Sequence, residues 1–316
     1  MIITESERKE LLNGLRRHKE ECHYYYGKYK PVHADLAIMF AEACCFLAEE
    51  VQYFDNGVTF QFKKGKDLMT VGCDDGAYVL SGTTTKNGME CEWNSKSSYN
   101  ESSLYKLMNH VKLFMMDEPE DCVLFSGAFC PPHKGHKSLI EKSLMAGYDC
   151  AVVAISNENF VRNKMKKAGE VFYPYCSEQA RIDMVLHMTC MIPNVLVHGV
   201  ENGYTYEVLK EVKNTYGFKK LSFTCGSDKL DEINRWGYHD RLLAEFGFYI
   251  LQRDNMDMEE IERKCHMLFR KYRIEMQDAD TTGISSTRIR NMRNAGEDYR
   301  SLMPEKVYQV FKEISE

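Results

Sequence analysis

No apolar run in this 316-residue chain is long enough to span a bilayer, which argues against a helical membrane protein. The first residues, Met1-Ile2-Ile3-Thr4-Glu5-Ser6-Glu7, are acidic and lack the apolar core of a secretory signal. The twelve cysteines include no CxxC pair and no regular spacing, so neither a zinc site nor a disulfide framework is expected. They read instead as reduced core residues of a cytoplasmic protein. A net charge of −6 gives no general pull toward nucleic acid, so phosphate affinity has to come from a local basic site. Internal repeats and low-complexity tracts are missing too. What is present is 44% apolar and 12% aromatic residues, enough for two domains with cores of their own.

The chain changes character near Asp117-Glu118-Pro119-Glu120-Asp121, which predicts a small α+β domain over 1–118 and a second domain over 119–316. In the first part, 5–21 is charged and helical in tendency. Leu36, Met39, Phe40, Ala43, Leu47 and Val51 follow the spacing of a second helix. Strands are expected at Val58–Phe62, Leu68–Val71 and Ala77–Leu80, a polar loop over Glu92–Asn100, and a helix over Leu104–Phe114. No catalytic constellation stands out there. From Cys122 onward strands and helices alternate. Strands are expected at Cys122–Ser126, Cys150–Ile155, Val195–His198, Leu221–Thr224 and Phe248–Leu251. Helices are expected at His136–Met145, Ser177–Met188, Tyr206–Thr215 and Met258–Tyr272. Such alternation implies an α/β fold with a parallel sheet covered on both faces.

The most telling stretch is Gly127-Ala128-Phe129-Cys130-Pro131-Pro132-His133-Lys134-Gly135-His136, placed between the first of these strands and a helix. Gly127 lets backbone approach a ligand closely. His136 falls near the first helical turn, where free N–H groups and the helix dipole favour an anion. Two imidazoles three residues apart can then reach one phosphate. Far downstream, Ile284-Ser285-Ser286-Thr287-Arg288-Ile289-Arg290 sets three hydroxyl residues at a helix start and follows them with a planar cation. Taken alone, it could equally be a capped helix on a charged surface.

The first stretch resembles the HxGH signature of the nucleotidylyltransferases, and the second resembles their ISSTxIR element. Further segments resemble the nicotinate and nicotinamide mononucleotide adenylyltransferases in particular. These are Gly226-Ser227-Asp228-Lys229-Leu230 with Trp236 and Leu242-Leu243, Gly203 to Leu209, Lys166-Lys167 with Arg181 to Met184, Phe248 to Arg253, and Leu302 to Val307. The likeness runs in order over about 122–313. It implies a Rossmann-like doubly wound parallel sheet and transfer of an adenylyl group from ATP to a pyridine mononucleotide, with Mg²⁺. It also implies roles. His133, His136, Arg290 and Lys167 (or Lys166) would act on the reacting phosphates. Gly127, Phe129, Gly226, Asp228, Ser285, Ser286 and Thr287 would complete the ATP site. Ser126, Ala128, Lys167, Tyr204, Thr205, Trp236 and Arg253 would hold the mononucleotide, with Trp236 stacked on the pyridine.

Each residue also has a plainer reading. Trp236 fits an ordinary core, Asp228 and Thr205 fit helix caps, and Lys164 to Lys167 fit a solvated basic loop. Ala128 stands where many members of that family carry Ser, which removes a hydroxyl from the mononucleotide phosphate. Asn163 to Lys167 superficially resembles the KMSKS loop of a synthetase, but it follows HxGH too soon. Two rival functions remain at this stage: another nucleotidylyl transfer, to phosphopantetheine or a polyol phosphate, and a nucleotide sensor without catalysis. The Tyr204-Thr205 and Trp236 segments speak against the first, and the intact HxGH and ISSTxIR elements against the second. The expected partners are ATP and the mononucleotide, with no nucleic acid and no membrane. Self-association into a homo-oligomer stays open, as does the choice between the two mononucleotides.

Overall fold

Period-two alternation between Val58 and Val71 puts Phe60, Phe62, Met69 and Val71 on one side of a ribbon, and all four are buried. The computed structural model describes residues 48, 50–54, 57–74, 77–86, 89–98, 101–116, 118–201, 203–252, 257–276 and 283–315. It separates into two compact units, Met1–Glu118 and Pro119–Glu316. In the first, β1 (Glu50–Phe54), β2 (Gly57–Lys64), β3 (Asp67–Asp74), β4 (Ala77–Lys86) and β5 (Met89–Ser98) form an antiparallel sheet in chain order. Helix α1 (Glu101–Met115) follows and buries Leu107, Met108 and Val111. Phe60 faces Val71 and Phe62 faces Met69 across β2 and β3, the cross-strand pairs that stabilise a half-buried sheet. Gly65, at φ +62°, makes the tight turn between those strands.

Two expectations for this unit need correction, and two fall elsewhere. The polar loop expected over Glu92–Asn100 is mostly strand. β5 pairs with β4 over ten residues, from Lys86↔Met89 to Ala77↔Ser98. Ladder hydrogen bonds come from the backbone, so an edge strand tolerates polar side chains that periodicity reads as loop. Val51, counted with a helix, lies in β1. The rest of that helix pattern, 36–47, and the helix expected over 5–21 lie outside the described residues.

The second unit is α/β. Its elements are β6 (Asp121–Gly127), α2 (Lys134–Met145), β7 (Cys150–Ile155), α3 (Glu158–Lys167), α4 (Glu178–Thr189), β8 (Val195–Gly199), α5 (Thr205–Tyr216), β9 (Lys220–Gly226), α6 (His239–Glu245), β10 (Gly247–Leu251), α7 (Met258–Leu268), β11 (Tyr272–Glu275), α8 (Ser286–Ala295) and α9 (Glu305–Ser315). The strand order is β11-β10-β9-β6-β7-β8, and every pairing is parallel. The chain therefore winds from β6 out to β8, returns to β9 on the other side of β6, and winds out to β11. The Rossmann-like reading holds. Every residue of β7 and of β10 is buried, which explains their unbroken apolar runs.

The helix expected over Met258–Tyr272 ends at Leu268. Phe269 is extended and stacks on Phe248 of β10 at 4.1 Å between centroids, which turns the chain into β11. Lys166 and Lys167, expected on a loop, sit in the last turn of α3. Asn157 caps that helix by accepting from the backbone N–H of Phe160 at 2.8 Å.

One buried cation ties the strand exits together. Arg181 of α4 is fully buried. Its Nη1 donates to the carbonyls of Ala128 (3.0 Å) and Ser156 (2.7 Å), just past the ends of β6 and β7. Its Nε donates to the carbonyls of Cys176 (2.8 Å) and Ser177 (3.2 Å). Replacing Arg181 with Met should strand these carbonyls in the core and cost roughly 2–4 kcal/mol. A urea midpoint within error of the wild type would contradict this role.

Candidate active site

The switch in strand order lies between β6 and β9, and ligands of open α/β sheets bind outside the carboxyl ends of the strands at that point. A cavity of about 310 Å³ opens there. Its floor is Gly127 at the end of β6, Thr224 and Gly226 of β9 and Leu251 of β10. Its walls are the first turns of α2 and α8 and one face of α3.

Gly127 and Phe129 shape the turn after β6. Phe129 takes φ +48°, outside the usual range for an aromatic residue. Its ring folds back over Gly127, so a Cβ at 127 would lie 3.3 Å from Phe129 Cε2. The same ring is 4.9 Å from the imidazole of His136 and holds it from one side. On the other side, His133 stacks on His136 at 3.7 Å with planes 26° apart. The backbone N–H of His133 donates to His136 Nδ1 at 3.2 Å. A neutral His136 must then carry its proton on Nε2, as a hydrogen-bond donor.

Helix α8 closes the cavity from above. Ser285 caps it, accepting from the Arg288 N–H at 3.1 Å. Ser286 Oγ donates to the Pro131 carbonyl at 2.8 Å. Arg290 Nη1 donates to the Cys130 carbonyl at 2.6 Å, and its Nη2 to Thr287 Oγ1 at 3.1 Å. The other edge of that guanidinium meets Glu170, with Nε 3.0 Å from Oε2. The ISSTxIR segment and the HxGH turn, separated by 155 residues at the Ser286–Pro131 bond, are thus directly bonded.

Of the residues named from the sequence, Ser126, Gly127, Ala128, Phe129, His136, Gly226, Ser286, Thr287 and Arg290 line the cavity. His133 stands behind His136, and Ser285 serves the helix cap. Lys164, rather than Lys167, is the lysine on the cavity wall. Val161 and Met165 are the buried residues of α3. Asp228 lies in the 3₁₀ turn Ser227–Lys229, with its carboxylate 3.5 Å from Lys229 Nζ. Trp236 meets Phe223 edge-on at 5.9 Å. Beside it, Gly237 leaves room for the exposed Tyr204 ring, since a Cβ there would lie 2.9 Å from Tyr204 Cδ1. Thr205 opens α5. These four residues lie off the cavity wall, but the Tyr204 and Trp236 segments are brought together. Arg253 lies outside the described residues.

Among the wall residues that the sequence reading did not assign to the site are Lys164, Glu170 and Cys130. Once α3 is recognised as a helix, from Asn157 as its cap and Val161 and Met165 as its apolar face, Lys164 follows by periodicity. Cys130 lies within the Gly127–His136 stretch, whereas nothing local marks Glu170.

The site is amphipathic. Leu139, Ile140, Val161 and Leu251 give it an apolar side. Two helix N-termini with His136, Lys164 and Arg290 give it an anion-binding side. That combination suits a flat heterocycle joined to phosphates.

Residues 124–292 match the cytidylyltransferase-like family. A probable nicotinate-nucleotide adenylyltransferase of Clostridium botulinum is 28% identical over 191 residues, 59% of this chain and 93% of the relative. One of Clostridium tetani is 24% identical over 219 residues, 66% of this chain and 86% of the relative. Among solved structures, Plasmodium falciparum nicotinic acid mononucleotide adenylyltransferase complexed with APC aligns with a TM-score of 0.46 and 18% identity, covering 62% of this chain and 95% of that one. The family match takes in more than half of the chain and runs from β6 into α8, across both walls of the cavity, so this chain belongs to the cytidylyltransferase-like family.

Proposed function

We propose that the chain transfers the adenylyl group of ATP to nicotinate mononucleotide, or to its nicotinamide counterpart, forming the dinucleotide and pyrophosphate. The observation that carries this reading is the bonding of the Ser286–Arg290 segment onto the turn that presents His136, around one cavity at the sheet's switch point. The names of the relatives favour nicotinate as the acceptor base. We assign catalysis to the unit Pro119–Glu316, which holds every residue used here.

The acceptor's 5′-phosphate oxygen attacks the α-phosphorus of ATP. The bond from that phosphorus to the bridging oxygen breaks, and pyrophosphate leaves. The attacking oxygen is already anionic, so no side chain has to remove a proton. What the protein supplies is position and charge. His136 Nε2–H donates to oxygens of the reacting phosphate, with Phe129 and His133 fixing the ring. Arg290, Thr287 and Lys164 hold the β and γ phosphates as negative charge builds on them. Ser286 keeps α8 in place through the Pro131 carbonyl. Ser126, the backbone at Ala128 and the Tyr204–Trp236 region receive the mononucleotide, with Asp228 directed to the ATP ribose. Backbone N–H groups serve where Ala128 replaces a serine.

Mg²⁺ would neutralise phosphate charge. Phosphate oxygens and water satisfy its preference for oxygen ligands, so a carboxylate cage is not required. Among the described residues, no three His, Cys, Asp or Glu are grouped to form one. We place the enzyme in the cytoplasm, where ATP is made and thiols stay reduced. The seven cysteines of the unit Pro119–Glu316 form no disulfide, and no helix among the described residues is long and apolar enough to cross a membrane.

The direct test offers ATP and Mg²⁺ with nicotinate mononucleotide, nicotinamide mononucleotide, phosphopantetheine and a polyol phosphate, and follows pyrophosphate release and product mass. A dinucleotide is expected from the pyridine mononucleotides, fastest with nicotinate. Turnover of only the other acceptors would overturn the reading. His136→Ala should lower kcat by roughly 100-fold or more, as for loss of one preorganised donor to a transition state. Its circular dichroism should match the wild type. Glu170→Gln should act the other way. Glu170 pairs with Arg290 and competes with a phosphate for it, so the KM for ATP should fall about threefold, equivalent to roughly 0.7 kcal/mol of a part-exposed ion pair. A rise in that KM would mean that Glu170 positions Arg290 instead of competing for it.

A further inference from the structure

Cys130 of the cavity wall and Cys176 beside it carry thiols that adenylyl transfer does not use. Cys130, in the turn after β6, and Cys176, just before α4, bring their sulfurs within 2.8 Å of each other. They are 2% and 0% exposed. The thiols of Cys122, Cys150, Cys190 and Cys225 point instead at backbone carbonyls. A disulfide holds its sulfurs at about 2.05 Å, so closure by less than about 1 Å separates the Cys130–Cys176 pair from a bond. Cys130 also faces the cavity. A molecule that enters the cavity therefore meets Cys130, whose sulfur touches that of Cys176.

We propose that Cys130 and Cys176 form a reversible dithiol–disulfide site, oxidised by small peroxides that enter through the cavity and shielded when a nucleotide fills it. The hydrogen bond from Cys130 holds the Cys176 thiol below its ordinary range, and the guanidiniums of Arg290 and Arg181 add to this effect. The same bond, with burial, pushes the Cys130 thiol up. The pair thus works as one proton-sharing unit. The proton rests mainly on Cys130; in the minor arrangement it crosses the 2.8 Å contact to Cys176 and leaves Cys130, the sulfur that faces the cavity, as the thiolate. The Cys130 sulfur attacks one oxygen of the peroxide, the O–O bond breaks, and hydroxide leaves and takes a solvent proton to become water. Cys130 is then a sulfenic acid. The Cys176 sulfur attacks it, the S–O bond breaks, and the hydroxyl departs with the Cys176 proton as a second water. The thiol–thiolate pair gives up two electrons and one proton, the solvent supplies the other proton, and one hydrogen peroxide becomes two waters.

The bond would be felt in the phosphate site. The Cys130 carbonyl anchors Arg290 and the Cys176 carbonyl anchors Arg181. Drawing the two residues together shifts the turn that carries His136 and the cation beside it. A displacement near 1 Å is enough to cost on the order of 100-fold in a positioned reaction. This effect on turnover rests on the proposed adenylyl transfer, but formation of the disulfide does not.

The test treats the full-length protein with millimolar hydrogen peroxide, with and without saturating MgATP. The protein is then unfolded in an alkylating agent, and its digest is mapped by mass spectrometry. A cross-link between the peptides bearing Cys130 and Cys176 is expected, formed more slowly with MgATP and reversed by dithiothreitol. Turnover should fall at least about tenfold with the cross-link and return with reduction. Cys176→Ser, and Cys176→Ala in case the serine variant folds poorly, should keep turnover before peroxide and resist the reversible loss after it. Full alkylation of both cysteines after peroxide would overturn the proposal, whether or not the chain turns over. So would irreversible oxidation of Cys130 without a cross-link, or a cross-link that leaves turnover unchanged. An untreated protein that makes no dinucleotide counts against the functional reading alone.

Discussion

The turn from Gly127 to Pro132 has almost no means of satisfying its own backbone. Gly, Ala, Phe, Cys, Pro and Pro supply no strong side-chain donor, and the two prolines supply no N–H. Buried carbonyls left without partners would cost about 1–3 kcal/mol each. The partners come from distant parts of the chain. Arg181 of α4 donates to the Ala128 carbonyl, Arg290 of α8 to that of Cys130, and Ser286 to that of Pro131. The need to satisfy this turn joins β6, α4 and α8 into one site. A guanidinium suits the task because it carries several donors in a fixed plane.

This arrangement gives the two arginines different characters. Arg181 is fully enclosed and all four of its acceptors are carbonyls of strand exits and turns, so its role is structural. Arg290 spends one nitrogen on a carbonyl and offers the opposite edge to Glu170, at the cavity. A carboxylate and a phosphate make the same kind of demand on a guanidinium. Glu170 therefore makes with Arg290 the kind of pair a phosphate would make, and its part exposure makes it replaceable. The acidic net charge of the chain does not oppose nucleotide binding, because the side chains that matter, His136, Lys164 and Arg290, are gathered around one cavity.

Much of this was legible before any coordinates. The alternation of strands and helices after Cys122 fixed the parallel sheet, since buried strands and amphipathic helices leave distinct periods. HxGH and ISSTxIR are local in sequence, and the positions of Gly127, His136 and Arg290 followed from them. Three kinds of feature were not legible. Edge strands such as β5 and β11 depend on a neighbour's backbone, which no side-chain pattern reports. The short helix α3 was hidden by its lysines, so Lys167 was chosen where the helical face presents Lys164. Partners such as Glu170 and Cys176 are defined only by the fold. Nothing near either residue announces that it will meet Arg290 or Cys130.

The absent hydroxyl at Ala128 gains a physical setting from these contacts. The carbonyl of Ala128 is held by Arg181, and its neighbour Phe129 is held in a left-handed backbone conformation over Gly127. The backbone here is thus constrained at the Ala128 carbonyl by a buried cation and at the neighbouring Gly127 by the ring folded over it. A backbone N–H that cannot rotate away is a preorganised donor, and preorganisation is what a phosphate site requires of its ligands. A serine here would add one more donor to a cradle whose geometry is set by other residues. The turn can dispense with the hydroxyl, whereas the interactions that aim its backbone are shared with the rest of the fold and cannot be lost singly.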